Sequence, residues 1–128
     1  MDLFVYGALA NPDFLFMVTR TRSNIEEAEL AGFEEIKTSR GLRTLRPLAG
    51  SCVKGLLIRE PSETVKKRIE GYFGPNYERI TAPICGEKRV REIETYMVRD
   101  RMELEEGIID TPWLLRVLRS VQNRPQTP

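Results

Sequence analysis

Leu3-Phe4-Val5-Tyr6-Gly7-Ala8-Leu9 is an apolar run that meets a glycine, and Asn11-Pro12 follows two residues later. Consecutive apolar positions with β-branched and aromatic members predict a buried strand over residues 2–7. Asn11 suits a helix N-cap and Pro12 the first helical position. A helix is therefore predicted to about Arg20, with Phe14, Leu15, Met17 and Val18 as its apolar residues. A strand, a glycine turn and a helix N-terminus in succession make a corner of backbone N–H groups. Such a corner suits a carboxylate or a developing oxyanion. Gly7, Ala8 and Leu9 are the first candidate site residues.

Beyond this corner the chain reads as a series of short elements. Residues 24–37 are ambiguous: Glu26, Glu27 and Glu29 suit a helix, whereas Ala31-Gly32-Phe33 suits a bend into a strand. Residues 40–46 alternate apolar and basic side chains up to Pro47, and residues 53–58 predict another strand after a turn at Gly50. Pro61-Ser62 predicts the start of a short helix over 63–69, with Val65 and Ile69 one turn apart and Gly71 as its stop. Gly74-Pro75-Asn76 is a turn signal. Strands are predicted over 77–84 and 91–98. Thr111-Pro112 opens a last predicted helix that holds Trp113. Short strands, two or three helices and no regular βαβ alternation predict an α+β fold with a curved mixed sheet. One domain over residues 1–121 is expected, with 122–128 as a polar, frayed tail.

The composition narrows the chemistry. The chain has 128 residues, 41% hydrophobic and 30% charged, enough for one domain with a real core. The formal net charge of +1 gives no overall pull toward nucleic acid or an anionic membrane. No apolar run has the length of a membrane span. Met1-Asp2-Leu3 carries no basic n-region, so a secretory leader is not expected and a cytoplasmic protein is. Histidine is absent. That excludes a His general base, a Ser-His-Asp triad and His metal ligands, and leaves proton chemistry to carboxylate, Cys, Lys or Tyr. Cys52 and Cys85 each stand alone, without zinc spacing, and are expected to be reduced and mostly buried. No Walker loop and no G-x-G-x-x-G fingerprint occurs.

Leu3-Phe-Val-Tyr-Gly-Ala-Leu-Ala-Asn-Pro12 resembles the opening of the γ-glutamylcyclotransferase-like (AIG2-like) family. Further motifs follow in the family's order. Leu30-Ala-Gly-Phe33 is similar to its Leu-x-Gly-Tyr segment, and Gly50-Ser-Cys-Val-Lys-Gly55 to its Gly-x-x-Val-x-Gly strand. Glu70-Gly71-Tyr72 with Tyr77-Glu78-Arg79 resembles its Glu-Gly and Tyr-x-Arg pair, and Thr95-Tyr96-Met97-Val98 its late aromatic strand. The resemblance spans most of residues 2–120. It implies a small mixed β-barrel with flanking helices. It also implies an enzyme, without cofactor or metal, that cyclises γ-glutamyl amines or peptides to 5-oxoproline and frees the amine or amino acid.

In that reaction the substrate's α-amine attacks its own γ-carbonyl, so the protein must first hold a folded conformer. A carboxylate takes a proton from the ammonium and later gives one to the leaving nitrogen, work suited to a buried glutamate of raised pKa. Amides of the Gly7-Ala8-Leu9 turn would hold the oxyanion. The resemblance implies Glu70 as the general base and Tyr6, Tyr77 and Tyr96 as phenols near the pocket. A second register is open. Tyr72-Phe73-Gly74-Pro75-Asn76-Tyr77-Glu78-Arg79 also resembles the family's shorter aromatic-Glu-Gly-x-x-Tyr-x-Arg form, and there Phe73 takes the glutamate's slot. The alternative function is then a non-catalytic small-molecule-binding module. Ala8 and Lys67 are further departures, standing where the family usually has Ser or Thr and Asp.

The expected partner is a small γ-glutamyl compound, with neither nucleic acid nor membrane. Arg40, Arg43 and Arg46, Lys66-Lys67-Arg68 and Lys88-Arg89 are basic clusters, which acidic stretches such as Glu103, Glu105 and Glu106 balance, so they are read as solvated faces.

Overall fold

The computed structural model describes residues 1–85 and 91–99. The expected last helix with Trp113, the Lys88-Arg89 pair and the tail 122–128 lie outside the described residues. The order is β1 (Leu3–Val5), a 3-10 turn (Gly7–Ala10), α1 (Pro12–Thr19), β2 (Ile25–Lys37), β3 (Arg43–Ile58), α2 (Glu63–Phe73), β4 (Tyr77–Pro83) and β5 (Glu92–Val98). The five strands form one mixed sheet in the order β2-β3-β1-β5-β4. β1 runs antiparallel to β3 and parallel to β5, and β2/β3 and β4/β5 are antiparallel pairs. The fold is α+β. The sheet curls without closing. Among the described residues its edges meet at one bridge, Leu30 to Ile84, so "barrel" describes it only loosely.

Alternation along β1 splits the core in two. Leu3 and Val5 point to the face covered by the helices, where they join Leu9, Leu15, Val65, Ile69, Tyr77 and Tyr96. Phe4 and Tyr6 point to the concave face with Leu30, Leu45, Val53, Leu57, Ala82 and Ile93. Gly55 makes the β1–β3 crossing possible. A Cβ there would stand 2.2 Å from the Val5 carbonyl oxygen and 2.5 Å from the Phe4 ring.

The helix signals at Asn11 and Ser62 are realised as side-chain caps. Asn11 Oδ1 accepts from the N–H of Asp13 and Phe14, and Ser62 Oγ from that of Val65. Three expectations change. Residues 25–37 are strand throughout, with a register shift between Ala31 and Phe33 at Gly32, whose φ is +85°. Leu30 turns inward while Glu27 and Glu29 are exposed, an alternation that the run of glutamates hides. Gly71 does not end α2. The helix continues to Phe73 and stops at Gly74, at φ +86°, one residue before Pro75. The cysteines are neither reduced nor mostly buried: Cys52 and Cys85 form a disulfide, and Cys52 is exposed. Cys52 lies opposite Ala31 in the β2–β3 ladder, and the Cys85 N–H donates to the Glu29 carbonyl. The bond therefore spans the seam where the sheet edges meet. No helix among the described residues is long and apolar enough to cross a membrane.

Candidate functional site

The strand β1 delivers Tyr6 to the concave face and then turns through Gly7, at φ +65°. Tyr6 caps the 3-10 turn, so the N–H groups of Gly7 and Ala8 precede its first intrahelical bond. Leu9 is buried, and its side chain anchors the turn in the helix-side core. At the corner Ala8 is exposed and Gly7 is partly open.

Three phenols converge near this corner. The Tyr6 hydroxyl donates to the Tyr96 carbonyl at 2.6 Å, and the Tyr77 hydroxyl donates to the Arg43 carbonyl. All three tyrosines are buried. Burial pushes the Tyr6 phenol well above its usual range, and the nearby Tyr77 adds to the rise. Burial also pushes Tyr96 up to about 12, helped by the Glu70 carboxylate. Both hydroxyls are neutral donors at pH 7.

Phe73 is the residue these phenols surround. Its ring centroid lies 4.9 Å from that of Tyr77, 5.0 Å from Tyr96 and 5.9 Å from Tyr6. The ring packs against both halves of the core. The two extra residues of α2 beyond Gly71 turn it inward.

Glu70 lies one helical turn earlier and is exposed. Its Oε1 accepts from the Tyr96 hydroxyl at 3.4 Å, a long contact. It lines an open cleft of about 660 Å³ together with Lys67, Tyr77, Glu78, Arg79, Tyr96 and Arg99. Tyr6, Gly7, Ala8 and Leu9 are not among the lining residues of that cleft. Among the sequence candidates, the structure brings Tyr6, Tyr77 and Tyr96 together around Phe73. It sets Glu70 at the outer side of Tyr96, with Phe73 packed between Tyr96 and Tyr6.

A carboxylate does reach the corner, from a residue the sequence did not mark. Glu35 Oε2 lies 3.3 Å from where a Cβ on Gly7 would be, and the Arg43 side chain is equally close. Arg43 Nη1 donates to Glu35 Oε2 at 3.1 Å. No local pattern flags Glu35, and Arg43 is marked only as one of a basic cluster, because their meeting with Gly7 depends on long-range pairing of β3 with β1. Of the other basic candidates, Arg46 pairs with Glu34, Lys66 lies near Glu63 and Glu94, and Arg68 donates to the Thr19 carbonyl. Among the described residues, Glu29, Cys52 and Cys85 are the one group close enough to share a metal ion, but the two sulfurs are bonded to each other.

Solved structures share this architecture. Two Arabidopsis thaliana proteins solved in solution superpose with TM-scores of 0.64 and 0.68 at 22% and 18% identity. The first alignment covers 95% of this chain and 76% of that protein, and the second 99% and 93%. A gamma-glutamyl cyclotransferase superposes with a TM-score of 0.62 at 13% identity, over 92% of this chain and 86% of its own. At such identities the likeness is one of fold. No curated protein matches the chain by sequence. The family model described as gamma-glutamyl cyclotransferase, AIG2-like, matches residues 3–115. With that match spanning the corner, the phenols and α2 alike, the chain belongs to the gamma-glutamyl cyclotransferase, AIG2-like family.

Proposed function

We propose that this chain binds a small γ-glutamyl compound at the Gly7 corner without turning it over, as a family member that keeps the pocket and lacks the general base. The observation that carries this is the placement of Phe73. Its ring fills the space among Tyr6, Tyr77 and Tyr96 where the shorter motif register puts the glutamate. A phenyl ring can neither accept nor return a proton, and general acid–base catalysis contributes about 10²–10⁴ in rate. The amides of Gly7 and Ala8 remain as donors for a carbonyl or carboxylate, while the Tyr6 and Tyr96 hydroxyls already donate to the Tyr96 carbonyl and to Glu70.

One contact favours a second reading, in which the chain is a cyclotransferase with Glu70 as base. The Glu70 carboxylate stands 3.4 Å from the Tyr96 hydroxyl at the mouth of an open cleft. In that reading Glu70 takes a proton from the substrate ammonium. The freed amine attacks the γ-carbonyl, and the same carboxyl returns the proton to the leaving nitrogen, giving 5-oxoproline and a free amine or amino acid.

A panel of γ-glutamyl-amino acids and γ-glutamyl-amines separates the two. The binding reading expects calorimetric or NMR-detected binding and no 5-oxoproline. Release of 5-oxoproline that disappears in Glu70→Gln, with an unchanged melting temperature, would establish the second reading instead.

A further inference from the structure

The ion pair at the corner lies on the concave face. Glu35 follows Phe33 by two residues and Arg43 precedes Leu45 by two, and both apolar partners belong to the core that contains Tyr6. Side chains two apart on a strand share a face. The pair therefore stands at the rim of the Tyr6 side of the sheet, against the Cα of Gly7. Lys37 is the residue directly opposite Arg43 in the ladder. Like charges directly opposite repel, which turns the guanidinium away from Lys37 toward Glu35 and the corner. The Tyr77 hydroxyl, bonded to the Arg43 carbonyl, holds the backbone at this point. The two partners differ in freedom: the Glu35 side chain is 25% exposed and that of Arg43 60%. An exposed pair of this kind is weak and opens at small cost. Glu35 also contributes to keeping the Tyr6 phenol neutral, so its field reaches the phenol cluster.

We propose that Glu35 and Arg43 recognise the α-ammonium and α-carboxylate of a γ-glutamyl ligand, exchanging their mutual ion pair for two pairs with the zwitterion. This rests on the binding reading above and adds which end of the ligand the corner holds. An α-amino acid carries a cation and an anion on one carbon, and a carboxylate beside a guanidinium is the complementary arrangement. The arginine offers a planar fork to a carboxylate, which a lysine would not. The γ-carbonyl then extends from the rim toward the Gly7 and Ala8 amides.

The test uses three probes: γ-glutamylalanine, glutarylalanine, which lacks the α-amine, and 4-aminobutyrylalanine, which lacks the α-carboxylate. NMR titration of the full chain reads affinities into the millimolar range. Wild-type protein is expected to bind γ-glutamylalanine at least ~10-fold more tightly than either analogue, as each lost charge leaves one partner unpaired. Arg43→Gln should abolish the preference over 4-aminobutyrylalanine and keep that over glutarylalanine. Glu35→Gln should do the reverse. Melting temperatures confirm that both variants fold. Wild-type binding with preferences that neither substitution changes overturns the assignment and leaves the binding reading standing. Wild-type protein that binds none of the three probes overturns both.

Discussion

Phe73→Glu puts a carboxylate among the three phenols, and Phe73→Gln puts there a group of the same shape that cannot act as a base. The stability cost follows from what the ring touches. Truncating a fully buried phenylalanine costs about 3–5 kcal/mol. Phe73 is only partly buried, yet it makes close ring contacts with Tyr6, Tyr77 and Tyr96. A loss of about 3 kcal/mol is expected for either variant, within the 5–15 kcal/mol of a typical domain. The Tyr96 hydroxyl, which makes only a long contact to Glu70, can turn to solvate part of the new charge. Both variants should therefore fold with lowered melting temperatures. In a 5-oxoproline release assay over a γ-glutamyl panel, the glutamate variant should exceed the glutamine variant by about 10²–10⁴, the usual worth of a positioned base. Wild type should resemble the glutamine variant. If both variants bind ligand and neither releases 5-oxoproline, the corner is not a latent acyl-transfer site and the reasoning fails.

Gly55→Ala should unfold the chain or destabilise it by more than about 3 kcal/mol in a denaturant titration, because the new Cβ meets backbone as well as the Phe4 ring; a change under about 0.5 kcal/mol would show that β1 and β3 part easily. Gly7→Ala places a left-handed alanine between Glu35 and Arg43, and about 1–2 kcal/mol of lost stability with weakened γ-glutamylalanine binding is expected; unaltered binding counts against the corner as the site. Between pH 10 and about 12 native Tyr96 keeps a proton that the unfolded chain gives up, so stability falls as pH rises through that window. Tyr96→Phe should remove up to about 1.4 kcal/mol per pH unit of that fall, and equal slopes in the two proteins would refute the shift. Reducing the Cys52–Cys85 bond, or Cys52→Ser, should lower stability by about 2–4 kcal/mol, given a closed loop with a sequence separation of 33; an unchanged denaturation midpoint would mean that the seam holds without it.

The parts of the site legible in the sequence were those written within a few consecutive residues. The apolar run to Gly7 and the Asn11-Pro12 cap specify their own strand, turn and helix. Residues 24–37 stayed ambiguous because glutamate is a good helix former, and it takes the burial of Leu30 beside exposed Glu29 to reveal the strand period. At Gly71 the local stop signal lost to a stronger one: glycine costs a helix interior only about 1 kcal/mol, whereas Gly74-Pro75 cannot continue it. Those two further residues decide that Phe73 faces the phenols. Glu35 was invisible, and Arg43 read only as part of a basic face, because their meeting with Gly7 requires the ladder between β1 and β3, segments far apart in the chain. The disulfide was hidden for the same reason, since neither cysteine has a partner in sequence.

The bridge from Leu30 to Ile84 has a consequence for life in a crowded solution. An open sheet ends in two rows of unpaired N–H and C=O groups, each a template for another chain. Here the Cys85 N–H bonds the Glu29 carbonyl, and the sulfur link fixes the two borders near each other. Each border shields the other from intermolecular pairing at that point. A chain that lost the link would more readily open that point of the β2 border to another chain. Self-association through that strand would then compete with folding.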